Sequence, residues 1–277
     1  MEYIIDVKNL TKSYLSGAGR LVVLNNLNLS LPRGQFMSIT GKSGSGKSTL
    51  LYQLSLLDEP DSGEIIIDNI NVSHLSSSKR TAFRLNKFGY ILHNPEIFSQ
   101  TYLTEICSKR TAFRLNKFGY IFQDYALVPD LCAIDNIMLP LLMLGEPKSE
   151  ALKAAQSALV KVGLGDKAYS LPNQLSGGQQ QRISIARAIA HNPDIIFADE
   201  PTANLDTEMS HIVLQTFLEL NRAGQTIIMV THEKDYAEMA HRVITLSDGK
   251  IISDIIKSTS GSQSDLPALI PVRNKLL

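Results

Sequence analysis

The sequence predicts an α/β protein whose mostly parallel core sheet is organised around a phosphate-binding loop. Three observations carry this prediction. Phe36-Met37-Ser38-Ile39-Thr40 reads as a buried strand feeding directly into Gly41-Lys42-Ser43-Gly44-Ser45-Gly46-Lys47-Ser48-Thr49, and Thr49 to Leu57 reads as the helix that follows. Two later runs, Ile195-Ile196-Phe197-Ala198 and Gln225 to Val230, are short and apolar, as strands covered on both faces are. Helical stretches separate them, and strands alternating with helices argue for parallel pairing.

The remaining elements follow in order. Ile4 to Val7, Val22 to Leu24 and Leu27 to Leu31 read as strands of a small amino-terminal sheet. Gly63 to Ile67 resumes strand character, with Asp68-Asn69 as a turn. Ala133 to Leu171 is helical in pattern, and Ser149 to Val162 places Leu152, Ala155, Leu159 and Val162 on one face before Gly163 and Gly165 stop it. After Ile252 the chain turns Ser-rich, so residues 253–277 are expected to form a flexible tail.

Between 78 and 121 the chain repeats itself. The fourteen residues Ser78 to Ile91 recur unchanged as Ser108 to Ile121, at an offset of thirty. Solenoids need at least three stacked units, so two identical copies read instead as a tandem duplication, whether natural, engineered or an error in the recorded sequence. Removing either 78–107 or 92–121, thirty of the 277 residues, leaves the same 247-residue chain, which runs from Tyr-Ile into Phe122-Gln123. Each copy reads as a solvated helix face leading into a strand. The second is expected to fill the strand position before Gln123, being continuous with it; the first, continuous with the upstream hairpin, is its competitor.

Composition narrows the function classes. Lys plus Arg and Asp plus Glu both number 27, and hydrophobic residues make up 44%, an ordinary globular balance that singles out neither nucleic acid nor anionic lipid. Without residues 78–107, which hold four basic residues and two acids, the balance becomes 23 against 25, so the basic stretch does not argue for nucleic acid either. Cys107 and Cys132 have neither metal-ligand nor disulfide spacing, in keeping with a reducing compartment. No secretory signal is expected at Met1 to Asp6, and Ile137 to Leu144, broken by Pro140, is too short to span a bilayer.

The chemistry concentrates in three segments. In the loop, Gly41, Gly44 and Gly46 let successive amides, including those at Ser43 and Thr49, turn toward phosphate oxygens at a helix start. Lys47 is placed to reach the β- and γ-phosphates of a nucleotide, and the Ser48 hydroxyl to ligate magnesium. Asp199 and Glu200 end an apolar strand, where Asp199 suits a magnesium site and Glu200 can polarise an attacking water. Leu175-Ser176-Gly177-Gly178-Gln179 sets a Ser-capped helix start with two glycine amides, a second phosphate-binding end far along the chain.

Together these segments resemble the ATP-binding cassette (ABC) family, over about residues 2 to 252. The resemblance implies a P-loop NTPase cassette with a mostly parallel core sheet, an N-terminal antiparallel β subdomain and an inserted helical subdomain at about 124–181. It also implies a dimer, in which ATP and Mg2+ held by the phosphate loop of one copy are closed over by Ser176, Gly177, Gly178 and Gln179 of another. By the same resemblance Gln123 is the Q-loop glutamine on the metal and γ-phosphate, Asp206 in Ala203-Asn204-Leu205-Asp206 belongs to the D-loop, and His232 is the switch histidine; Asn204 departs from the Ser of many relatives. Tyr14 resembles the aromatic residue that stacks on adenine. Pro129 to Pro140 and Leu175 to Arg182 look most like the macrolide-export and lipoprotein-release branch. The implied protein is a transport ATPase, peripheral on the cytoplasmic face of the cell membrane, powering a separate integral-membrane permease. The alternative is a regulatory or assembly cassette whose hydrolysis or coupling is impaired by the insertion before Gln123. A DNA-repair or translation cassette is disfavoured by the single cassette and the lack of a basic tail.

Overall fold

Apolar and polar residues alternate through the first stretch of chain and build a long antiparallel hairpin, β1 (Tyr3–Ser16) and β2 (Gly19–Pro32). The computed structural model describes residues 3–17, 19–73, 75–76, 79–80, 88–92 and 127–257. Register shifts between Val7 and Ser13 break the ladder's period, and Asn9 and Asn26 take left-handed φ values of 53° and 51° beside them. That is why two continuous strands look in sequence like several short ones. β1 also pairs with β4 (Ser62–Ile67), and β4 with β5 (Ile70–Asn71), giving an antiparallel sheet in the order β2-β1-β4-β5.

The second sheet gathers β3 (Phe36–Gly41), β6 (Phe88–Leu92), β7 (Ile195–Asp199), β8 (Thr226–Val230), β9 (Arg242–Ser247) and β10 (Lys250–Ile256) in the order β10-β9-β3-β8-β7-β6. Every neighbouring pair is parallel except the hairpin β9–β10, so the predicted fold class holds. All residues of β7 and β8 are buried, and alternate side chains enter opposite cores. Ile196, Ala198, Ile227 and Met229 join a core with the helices α2 (Ala133–Met143), α3 (Lys148–Lys161), α4 (Gly177–Ile189) and α5 (Thr207–Arg222). Ile195, Phe197, Ile228 and Val230 join another, with α1 (Lys47–Leu54) and the inner face of the first sheet. The sheet continues past residue 252, where the sequence reading ends the cassette. Buried Arg242 holds Asp254 through two hydrogen bonds of 2.7 and 2.6 Å, which extends the β10 ladder to Ile256.

One expectation is overturned. The strand beside β7 comes from the first copy of the repeat: Phe88 pairs with Ile195 and Leu92 with Asp199. Identical sequences have identical ladder energies, so the shorter connection from the upstream chain favours the first copy. Arg80, at the start of the first copy, is 8% exposed and ion-paired with Glu59, which ties that copy to the turn after α1. The second copy, Ser108 to Ile121, and Gln123 lie outside the described residues.

Excising residues 92–121 joins Ile91 to Phe122 and preserves all but the last residue pair of the β6–β7 ladder. The shortened chain is expected to unfold in one transition and to gain about 1–2 kcal/mol from the shorter connection between β6 and Leu127. Urea denaturation of both lengths reads this directly. A loss of stability would show that the excised residues contribute packing of their own.

Candidate nucleotide site

The carboxyl ends of three neighbouring strands define the site. Parallel register puts Ile39 of β3, Val230 of β8 and Asp199 of β7 in one row, so the segments leaving these strands emerge together. The first is the phosphate loop, which reaches α1 through left-handed glycines at Gly41 (φ 146°), Gly44 (φ 77°) and Gly46 (φ 97°). A Cβ on Gly41 would lie 2.3 Å from the Leu246 carbonyl oxygen, whereas one on Gly44 would meet none of the described residues within 4 Å. Gly41 is thus fixed by its neighbour β9 and Gly44 by the open space above the loop. Lys47 Nζ donates to the carbonyls of Gly41 (3.0 Å) and Lys42 (3.1 Å), curling back over the loop, and the buried Ser45 hydroxyl has no hydrogen-bond partner among the described residues. A cationic amine, an orphaned hydroxyl and an uncrowded glycine fit a phosphate chain.

Asp199 is brought against the first turns of α1. Its Oδ1 lies 3.4 Å from Ser48 Oγ, and its Oδ2 accepts a 3.0 Å hydrogen bond from the Tyr52 hydroxyl. Burial, followed by the neighbouring Asp199 carboxylate, pushes the Tyr52 phenol far above its ordinary pKa, so it stays a donor. A hydroxyl and a carboxylate oxygen are the hard donors that Mg2+ takes, one or two from protein and the rest from phosphate and water. Glu200 follows in a left-handed conformation (φ 48°), and its Oε2 lies 2.9 Å from His232 Nδ1. Non-glycine residues adopt this conformation at a cost of about 1–3 kcal/mol and collect at functional sites.

Tyr14 stands at the other side of α1. Its hydroxyl donates to Asp58 Oδ2 at 2.7 Å, and Lys12 Nζ sits 5.0 Å from the centre of its ring while pairing with Asp58 at 2.8 Å. Burial and the hydrogen bond to Asp58 raise the Tyr14 pKa, and Thr49 also reaches its hydroxyl. The ring is therefore fixed, and 40% of the residue remains exposed.

Ser176 caps α4, accepting from the Gln179 amide at 3.4 Å while the Gln179 side chain returns to the Ser176 amide at 3.0 Å. Gly178 is buried because a Cβ there would come within 2.6 Å of Met209 Sδ on α5, which Asp206 caps through the Met209 amide at 2.8 Å. Among the described residues, no hydrogen bond or ion pair links Leu175 to Gln179 with the phosphate loop. One copy thus unites the loop, Asp199, Glu200 and His232, and leaves the amino end of α4 apart from them. Sequence reasoning missed Tyr52, Lys12 and Asp58. Only the spacing of Tyr52, four residues after Ser48 on one helix, offered a signal.

The two glycines separate fold from binding. Gly41→Ala is expected to cost about 2–4 kcal/mol of stability, from strain and the backbone clash. Gly44→Ala should cost only about 1–2 kcal/mol of left-handed strain and show itself as lost nucleotide affinity. Chemical denaturation paired with nucleotide titration distinguishes them.

Comparison with known proteins gives a consistent answer. Residues 24–203 match the family described as ABC transporter. The chain is 38% identical over 235 residues to the lipoprotein-releasing system ATP-binding protein LolD of Aquifex aeolicus, covering 85% of this chain and 92% of that protein. It is also 38% identical over 264 residues to the macrolide export ATP-binding/permease protein MacB of Chlorobaculum tepidum, covering 95% of this chain but only 36% of that longer protein. Among solved structures, the dimeric post-hydrolysis state of the ATP-binding cassette MJ0796 bound to ADP and Pi superposes with a TM-score of 0.74 at 35% identity, covering 92% of this chain and 99% of that one. The branch expected from the motifs is therefore the one found. The chain belongs to the ABC transporter family, as one of its ATP-binding and ATP-hydrolysing cassettes.

Proposed function

We propose that two copies of this chain clasp ATP between them, each offering its phosphate loop to one face of the nucleotide and its Ser176 to Gln179 end to the other copy's. The observation that carries this reading is the separation, within one copy, of two phosphate-binding ends. A single chain completes neither site, and the dimeric MJ0796 cassette with ADP and Pi supports the pairing. Tyr14 stacks on the adenine; Gly41, Ser43, Gly44, Gly46, Lys47 and Thr49 hold the phosphates. Ser48 and Asp199 would hold Mg2+, and the family resemblance assigns Gln123 to the same site. When bound, Mg2+ would neutralise charge on the β- and γ-phosphate oxygens. Glu200 accepts a hydrogen bond from the attacking water, His232 holds both Glu200 and the γ-phosphate, and Asp206 lies on the face between the copies. Binding closes the pair and hydrolysis reopens it.

The motion drives an integral-membrane permease. No helix among the described residues is long and apolar enough to cross a membrane. The relatives named for lipoprotein release and macrolide export support a transport role at the cytoplasmic face of the membrane. The cassette comprises residues 1–252 together with the end of β10 at Ile256, with a helical subdomain at about 124–181 that presents the signature.

The test is Glu200→Gln. Removing the charge that polarises water should lower Mg2+-dependent ATP turnover by about 100-fold or more, while ATP still binds and the closed dimer accumulates. Phosphate release and light scattering after size exclusion measure the two effects. Lys47→Ala should lose both ATP binding and the dimer. A Glu200→Gln chain that hydrolyses normally, or that stays monomeric with ATP, would sink the proposal.

A further inference from the structure

We infer that Tyr52 is a positioning residue for the metal site: its hydroxyl holds one oxygen of Asp199 so that the other faces Ser48. The inference rests on the reading above that Asp199 and Ser48 form the Mg2+ site. Ser48 and Tyr52 lie four residues apart in α1, so their side chains share a helix face one turn apart. That face meets the end of β7, where Asp199 is 5% exposed and offers its two oxygens in different directions. The phenol donates to Oδ2 at 3.0 Å; the Ser48 hydroxyl lies 3.4 Å from Oδ1.

An ionised carboxylate accepts only, and a hydroxyl is among the few neutral groups that can fix one oxygen without competing for metal as a second anion. The donor restrains carboxylate rotation and leaves Oδ1 as the oxygen presented to the metal or its bound water. Partners of this kind orient ligands without touching the metal, and losing one typically costs tenfold or more in metal affinity. The helix that supplies the Ser48 ligand therefore also supplies the clamp on the ligand from β7. Metal affinity thus depends on α1 and β7 keeping their mutual position.

The experiment uses the full chain and its Tyr52→Phe and Asp199→Asn variants. Mn2+ serves as a paramagnetic stand-in for Mg2+, titrated by electron paramagnetic resonance with ADP bound. ADP affinity in excess chelator and thermal stability without metal are measured in parallel. The expected result for Tyr52→Phe is Mn2+ affinity weakened about tenfold, with ADP affinity in chelator unchanged within about twofold. Introducing p-aminophenylalanine at position 52, which restores a donor at the ring tip, should recover most of the Mn2+ affinity. Unchanged Mn2+ affinity in Tyr52→Phe, or no recovery with the amine, overturns the inference and leaves Tyr52 a packing residue. Unchanged affinity in Asp199→Asn would instead overturn the metal assignment itself, and the role of Tyr52 with it.

Discussion

The parallel register of β3, β8 and β7 is the constraint on which the rest of the site depends. Ile39, Val230 and Asp199 share a row, so the phosphate loop, Thr231-His232 and Glu200 leave the sheet at one edge and at one height. The register is held because these strands are apolar on both faces. Sliding β7 by one residue would exchange Ile195 and Phe197, in the core beside α1, with Ile196 and Ala198, in the core beside the helices. It would also turn Asp199 away from Ser48. The two cores thus position Asp199 and Glu200.

Helix α1 turns that register into chemistry. It begins at a glycine with φ 97°, a conformation that brings the loop sharply into the helix. Its first turns then serve three sides. Ser48 and Tyr52 face Asp199, Thr49 reaches Tyr14, and Leu50, Leu51 and Leu54 are buried in the core beneath. Fully burying side chains of this kind contributes about 1.5–3 kcal/mol each, enough to hold a short helix whose own propensity could not. Lys12 and Asp58 extend the support to the Tyr14 ring, so Tyr14, Ser48 and Asp199 are all indexed to one element.

Much of this was legible in the chain because its signals are local. Gly41 to Ser48 specify a loop by residue type and spacing, Ile195 to Asp199 specify a buried strand ending in acid, and Ser176 with Gln179 specify a capping box. The clamp on Asp199 was not legible, since Tyr52 becomes meaningful only once β7 is seen to end beside α1. The same holds for Lys12 and Asp58, which lie 46 positions apart and meet at Tyr14 through the pairing of β1 with β4. The strand beside β7 failed for a different reason: the two copies of the repeat carry the same fourteen residues, so no local signal can separate them, and the choice falls to chain connectivity, which sets Arg80 of the first copy 21 positions from its partner Glu59.

The signature end is coupled to the catalytic edge through buried contacts. The Gln181 side chain, 5% exposed, donates from Nε2 to the carbonyl of Pro201 at 2.8 Å, one residue beyond Glu200. Gly178 packs on Met209 in the first turn of α5, beside the Asp206 cap. Leaving a buried amide donor or its carbonyl unpaired costs about 1–3 kcal/mol. Any displacement of Glu200 that carries Pro201 with it must therefore move α4 as well or break that bond. In the proposed pair of copies, the amino end of α4 would face the other copy's nucleotide. Under that proposal a change at one Glu200 would reach the second site through the body of its own subunit, by the Gln181–Pro201 bond and the packing of α4 on α5.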